Sequence, residues 1–157
     1  MDEAFGKGYL THGKCKRYID MGSVYKNKLS LVAVSSQGEV IGCLMAFPIY
    51  CVEGIVVLKL IVVDREYRQC GVGKALMEEF LKKGVIENGF KRIIAIVWAE
   101  SPYNAYGFVS KYVENVALKI PYAWYLSSLE EGWECVRCGV GCNCTAIIME
   151  TYVDSIS

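Results

Sequence analysis

Between Leu58 and Leu76 the polarity of the chain changes three times. Leu58-Lys59-Leu60-Ile61-Val62-Val63 is apolar and β-branched apart from one lysine, the pattern of a buried strand. Asp64 to Glu66 breaks it with a polar turn, and Gly71 and Gly73 follow, one residue apart. Met77, Phe80 and Leu81 then recur at helical spacing, with Glu78, Glu79, Lys82 and Lys83 mostly on the opposite face. Asn88-Gly89 is a fitting stop. The pattern predicts a strand, a glycine turn and a helix from Val72 to about Glu87.

Shorter patterns flank this unit. Lys14 to Tyr25 carries a weak helical pattern. Leu29–Val34 and Val40–Tyr50 read as antiparallel strands around the turn Ser35-Ser36-Gln37-Gly38. Pro48 marks an end or an edge. Ile55–Val63 completes a meander, and Phe90–Trp98 is a nearly all-apolar strand reached through the helix. Such a crossover implies a parallel central pair covered on both faces. Ser101 to Phe108 turns into a short helix ending near Tyr112. Val116–Tyr125 is expected as a strand, with Pro121 bending it or marking an edge, and Thr145–Tyr152 as the last strand. The order is mixed α/β without internal repeat or linker, one domain over residues 1–157.

Charge excludes some partners. Lysines plus arginines and aspartates plus glutamates number 17 each, for zero net charge in 157 residues. Nothing in that balance points to nucleic acid or to a membrane surface. Hydrophobic residues make up 54% of the chain, but Lys59 interrupts the longest apolar run, so no transmembrane span is expected. Met1-Asp2-Glu3-Ala4 lacks the basic start and apolar core of a leader, and the expectation is a cytoplasmic protein.

A strand, a glycine turn and a helix N-terminus form a natural anion cradle. The first helical N–H groups have no internal partner, glycine lets a ligand approach the backbone, and Arg68 and Lys74 add positive charge. The ligand expected there is a phosphate or pyrophosphate. A P-loop would need Gly at 68 and Ser or Thr at 75, where Arg68 and Ala75 stand. A dinucleotide turn would need Gly at 76, which is Leu76. What fits is Arg68-Gln69-Cys70-Gly71-Val72-Gly73, an Arg/Gln-x-x-Gly-x-Gly/Ala turn after an apolar strand. This resembles the GNAT superfamily of acyl-CoA-dependent N-acyltransferases.

The resemblance implies a central mixed, mostly antiparallel sheet with a splayed parallel pair, flanked by helices. It implies acetyl-CoA as co-substrate, with the pantetheine arm along Ile61, Val62 and Val63. The pyrophosphate would lie on the backbone of Gln69, Cys70, Gly71, Val72, Gly73 and Lys74, beside Arg68. It implies direct attack of a primary amine on the thioester, with a carboxylate to take the amine proton: Glu53 before the third strand, or Glu100 after the next. A solvated loop charge is the bland reading of each. The family also places an Asn on CoA and, at the position of Lys111 here, a Tyr that protonates the thiolate. Asn104 matches, and the tyrosine nearest to Lys111 is Tyr112, for which aromatic packing is the alternative. His12, the only histidine, reads as a surface or capping residue.

Eight cysteines are many for this length. Cys135, Cys138, Cys142 and Cys144 fall within ten residues, starting with a Cys-x-x-Cys-Gly knuckle. Three readings stay open: a structural metal such as zinc, reduced structural thiols, or a redox pair. Trp124, Ser128 and the loop 135–144 resemble the tail of a GNAT subgroup with a four-cysteine loop. The function expected is N-acetyl transfer to a small-molecule or protein amine. The alternatives are a non-catalytic acyl-CoA-binding regulator and a metal-dependent docking protein. The chain is expected to be a monomer or a homodimer, with an exposed sheet edge near Pro121 as the surface for the latter.

Overall fold

The computed structural model describes residue 5, residues 7–9 and residues 11–155. Residues 1–4, on which the leader expectation rested, and residues 156–157 lie outside the described residues. Packing divides the chain into two compact units, residues 17–94 with 151–157, and residues 1–16 with 95–150. The strands β1 (Leu31–Val34), β2 (Val40–Pro48), β3 (Ile55–Val63), β4 (Arg92–Trp98), β5 (Asn115–Ile120) and β6 (Ala146–Tyr152) form a six-stranded mixed sheet in the order β1-β2-β3-β4-β6-β5, and the division falls within β4 and within β6. No helix among the described residues is long and apolar enough to cross a membrane.

The first unit is built on a meander. β1 (Leu31–Val34), β2 (Val40–Pro48) and β3 (Ile55–Val63) pair antiparallel, with Leu31 opposite Leu44 and Gly42 opposite Val63. Leu44, Met45 and Ala46 are all buried in succession, so β2 is covered on both faces. On one side lies α2 (Val72–Glu79), which continues as a π-helical segment over Phe80–Ile86. Leu76, Met77, Phe80 and Val85 supply its buried stripe. On the other side Tyr18 of α1 (His12–Gly22) stacks on Phe47, with ring centroids 5.1 Å apart. α1 begins two residues earlier than the weak pattern suggested because the Thr11 hydroxyl accepts from the Lys14 N–H.

Gly42 decides how closely α2 sits on β2. A Cβ there would lie 3.2 Å from both the Val62 carbonyl oxygen and Val72 Cγ1. Gly42→Val is therefore expected to cost about 1–3 kcal/mol of stability by overpacking, read as a lower Tm. An unchanged Tm would mean that the start of α2 is not seated on this strand.

The second unit holds the end of β4 (Arg92–Trp98), α3 (Ala105–Val109), β5 (Asn115–Ile120), α4 (Tyr125–Glu131) and most of β6 (Ala146–Tyr152). β5 pairs antiparallel with β6 and ends the strand order, and all six of its residues are exposed. The strand expected over Val116–Tyr125 stops at Ile120. Pro121 has no N–H for the ladder, and Tyr122 turns the chain at φ +54°. Tyr125 to Glu131 then forms α4, which Gly132 closes at φ +66°.

Candidate functional site

β3 delivers the glycine turn. Asp64 Oδ1 accepts from the Glu66 N–H at 3.0 Å and starts a short 3-10 turn, Arg65–Tyr67. Arg68 then reaches back, its Nε donating to the Val63 carbonyl at 3.0 Å. That bond fixes the half-buried guanidinium at the corner where the strand ends. Gln69 and Gly71 both take left-handed backbone, φ +64° and +83°.

This winding aims the start of α2 outward. The first intrahelical bond runs from the Ala75 N–H to the Gly71 carbonyl, 2.9 Å, so the N–H groups of Val72, Gly73 and Lys74 precede the ladder. No side chain caps this end. A Cβ on Gly71 would meet nothing within 4 Å, so the space over the turn is open. Unsatisfied donors, the positive end of a helix and an open approach suit a pyrophosphate. Lys74 is exposed and lies 3.6 Å from Glu78. Cys70 is exposed at the turn.

A feature that sequence reading missed lies three residues before Val62. Met45 pairs with Leu60 and Ala46 with Leu58, so Lys59 is an extra residue in β3. Such a bulge disrupts the ladder locally and increases the strand twist. It falls beside Ile61, Val62 and Val63, where the resemblance put the pantetheine arm. The only sequence signal was the lone lysine in an apolar run. Its ammonium lies 5.8 Å from the Tyr18 ring centroid.

The acid–base residues expected from the resemblance lie on different elements. Glu53 is exposed in the loop before β3, at the opposite end of that strand from the turn. At about 3.3 Å per residue, β3 alone spans about 26 Å from Ile55, two residues after Glu53, to Val63. Glu100 is half-buried, and its Oε2 accepts from the Thr145 N–H at 2.8 Å, tying the end of β4 to the start of β6. Asn104 sits at φ +51° and caps α3, its Oδ1 accepting from the Gly107 N–H at 3.1 Å. Tyr112 is half-buried with its ring 5.5 Å from that of Phe108. His12 is exposed at the start of α1.

The four clustered cysteines do meet. Their sulfurs all lie within 4.8 Å of one another. Cys144 Sγ is 3.9 Å from Cys135 Sγ and 3.7 Å from Cys138 Sγ, and all eight cysteines of the chain are free thiols. The knuckle closes through two 3.0 Å bonds between the backbones of Cys135 and Gly139. Burial opposes ionising Cys135, but N–H groups of Arg137 and Cys138 outweigh it and hold this thiol below its ordinary pKa. Burial pushes Cys142 up, and pushes Cys144 up to about 11. Around them pack Tyr9, Trp98, Trp124 and Trp133.

Comparison with known proteins agrees with this geometry. Residues 6–108 match the Acetyltransferase (GNAT) family. Among proteins of curated function none matches. Ard1 from Thermoplasma volcanium is similar in structure, with TM-score 0.70 and 21% identity over 92% of this chain and 80% of that one. An IAA acetyltransferase from Bacillus cereus gives 0.68 and 15%, over 90% of this chain and 85% of that one. A GNAT acetyltransferase from Elizabethkingia anophelis with acetyl-CoA bound gives 0.67 and 16%, over 90% and 83%. The mixed sheet, with β3 and β4 as its parallel pair joined through α2, is the fold these proteins share. With two thirds of its length in the matched segment, the chain belongs to the acetyltransferase (GNAT) family.

Proposed function

We propose that the chain moves an acetyl group from acetyl-CoA to a primary amine by direct attack, with both substrates bound together. The observation that carries this is the uncapped N-terminus of α2 behind a doubly left-handed turn, the shape and polarity of a pyrophosphate seat. The pantetheine arm is assigned to Ile61, Val62 and Val63, beside the bulge at Lys59.

The amine nitrogen forms a bond to the thioester carbon, and the C–S bond breaks as the electron pair leaves with sulfur. A β3 backbone N–H polarises the carbonyl oxygen. Tyr112 gives the departing thiolate a proton, and the amine loses one through water to a carboxylate. Glu100 is the stronger candidate for that carboxylate, since Glu53 stands a strand length away from Val63. Asn104 is assigned to CoA through its amide, its Oδ1 being held in the α3 cap.

Acetyl-CoA and free CoA, each at saturation, are expected to raise Tm, whereas NAD leaves it unchanged. An amine panel should then release thiol, and Tyr112→Phe should lower kcat about 100-fold with little change in KM for acetyl-CoA. No rise with either CoA form would sink the assignment. The displaced Glu53 favours one rival, a non-catalytic acyl-CoA-binding regulator. That rival requires a CoA-dependent rise with no thiol released by any amine.

A further inference from the structure

We infer that Cys135, Cys138, Cys142 and Cys144 hold one zinc ion as a tetrahedral tetrathiolate, and that Ser128 and Trp98 are part of the cage. Zinc bound at about 2.3 Å by four sulfurs requires sulfur–sulfur edges of about 3.8 Å. Two edges, 3.7 and 3.9 Å, already have that length, and the widest separation among the four is within 4.8 Å. The pattern is that of a cage rather than of two bonded pairs. Cys144 is nearly equidistant from Cys135 and Cys138, with no sulfur singled out as its partner. An all-thiolate donor set selects zinc over the harder cations.

The surroundings also fit thiolates. The Arg137 N–H points at Cys135 Sγ, 3.5 Å away. The Trp98 indole nitrogen is buried without a hydrogen-bond partner, and its ring packs against the cysteine cluster. A buried orphan donor is costly, and a metal-bound thiolate is the acceptor that removes the cost.

The second half of the loop, Cys-x-Cys, is not a knuckle and cannot shape itself alone. Ser128 shapes it instead. Its fully buried hydroxyl accepts from the N–H groups of Gly141 and Cys142, both at 2.8 Å. α4 thereby supplies what the spacing of the cysteines lacks.

The cage sits at a node of its unit. The Glu134 N–H donates to the Lys7 carbonyl at 2.9 Å, and Trp133 meets the Tyr9 ring edge-on at 4.9 Å. Lys14 pairs with Glu131 at the end of α4. The ion therefore holds the segment from Lys7 to Lys14 in place as well as its own loop.

The test begins with metal analysis of the full chain purified without chelator, where about one zinc per chain is expected. Cobalt exchanged for zinc should show the visible bands and thiolate charge-transfer absorption of a tetrahedral sulfur site. Cys138→Ser should hold under about a tenth of the wild-type zinc, whereas Cys51→Ser keeps it all. If Cys138→Ser fails to fold, the cobalt spectrum of the unaltered chain still decides. Chelation should raise hydrogen exchange at residues 7–14 and 133–144 and leave 72–86 unchanged. Iron in place of zinc, no metal with four titratable thiols in the loop, or a denatured mass short by two hydrogens per disulfide would each overturn the proposal.

Discussion

Gly71→Val is expected to abolish the acetyl-CoA-dependent rise in Tm while leaving the chain folded. Two effects separate here. Gly71 stands at φ +83°, and a residue with a Cβ pays about 1–2 kcal/mol to remain there. In a domain of this size that lowers Tm by about 2–8 °C. Among the described residues nothing opposes the new side chain, because no atom beyond the adjacent residues lies within 4 Å of the Cβ position. The space is instead the approach to the N–H groups of Val72, Gly73 and Lys74. Filling it with an isopropyl group should weaken acetyl-CoA at least about 100-fold, the scale of several lost charge-assisted hydrogen bonds.

The readout is large. At 100 times Kd the ligand stabilises the unaltered chain by about 2.7 kcal/mol, and after a 100-fold loss by only about 0.4 kcal/mol. Gly38→Val is the control. Gly38 has φ +86°, meets nothing within 4 Å, and lies in the β1–β2 hairpin turn. It should show the same strain and the full acetyl-CoA shift. A Gly71→Val chain with an undiminished shift would place the ligand elsewhere.

Sequence reasoning recovered what is periodic or tightly local. Ile55–Val63 is a strand over the residues its apolar run marked, because a stretch buried on both faces announces its ends by composition. The turn Arg68 to Gly73 was legible because left-handed backbone needs glycine at Gly71, although Gln69 at φ +64° gave no such sign. What stayed hidden depends on partners distant in sequence. α4 carried no signal of its own and the strand before it runs shorter than expected, since Tyr122 reverses the chain without a glycine and Ser128 owes its burial to a loop thirteen residues on. The bulge at Lys59 is a property of pairing with β2, not of β3 alone. Trp98 and Tyr9 approach the cysteines only through folding.

Ser128→Ala is expected to be the most damaging single-atom deletion in the chain outside the cysteines. The hydroxyl is a hub: it donates to the Tyr125 carbonyl at 3.1 Å and accepts from the Gly141 and Cys142 N–H groups at 2.8 Å. Alanine fills nearly the same volume, so almost no cavity forms, and the cost is electrostatic. Two N–H groups lose their acceptor in a site where Ser128 is fully buried and Cys142 nearly so. Each buried donor left unmade costs about 1–3 kcal/mol, and with Gly141 only half-buried the sum is about 2–4 kcal/mol. That corresponds to a fall in Tm of about 5–15 °C. Ser127→Ala, one residue away, removes a single half-buried bond to the Trp124 carbonyl and should cost no more than about 1 kcal/mol. The effect should also be non-additive with Cys142→Ser, because both act on one loop segment; residues sharing a network couple by about 0.5–3 kcal/mol. If Ser128→Ala melts with the unaltered chain, the hydroxyl does not organise the loop, and the Cys142-x-Cys144 half of the cage must be shaped by the metal alone.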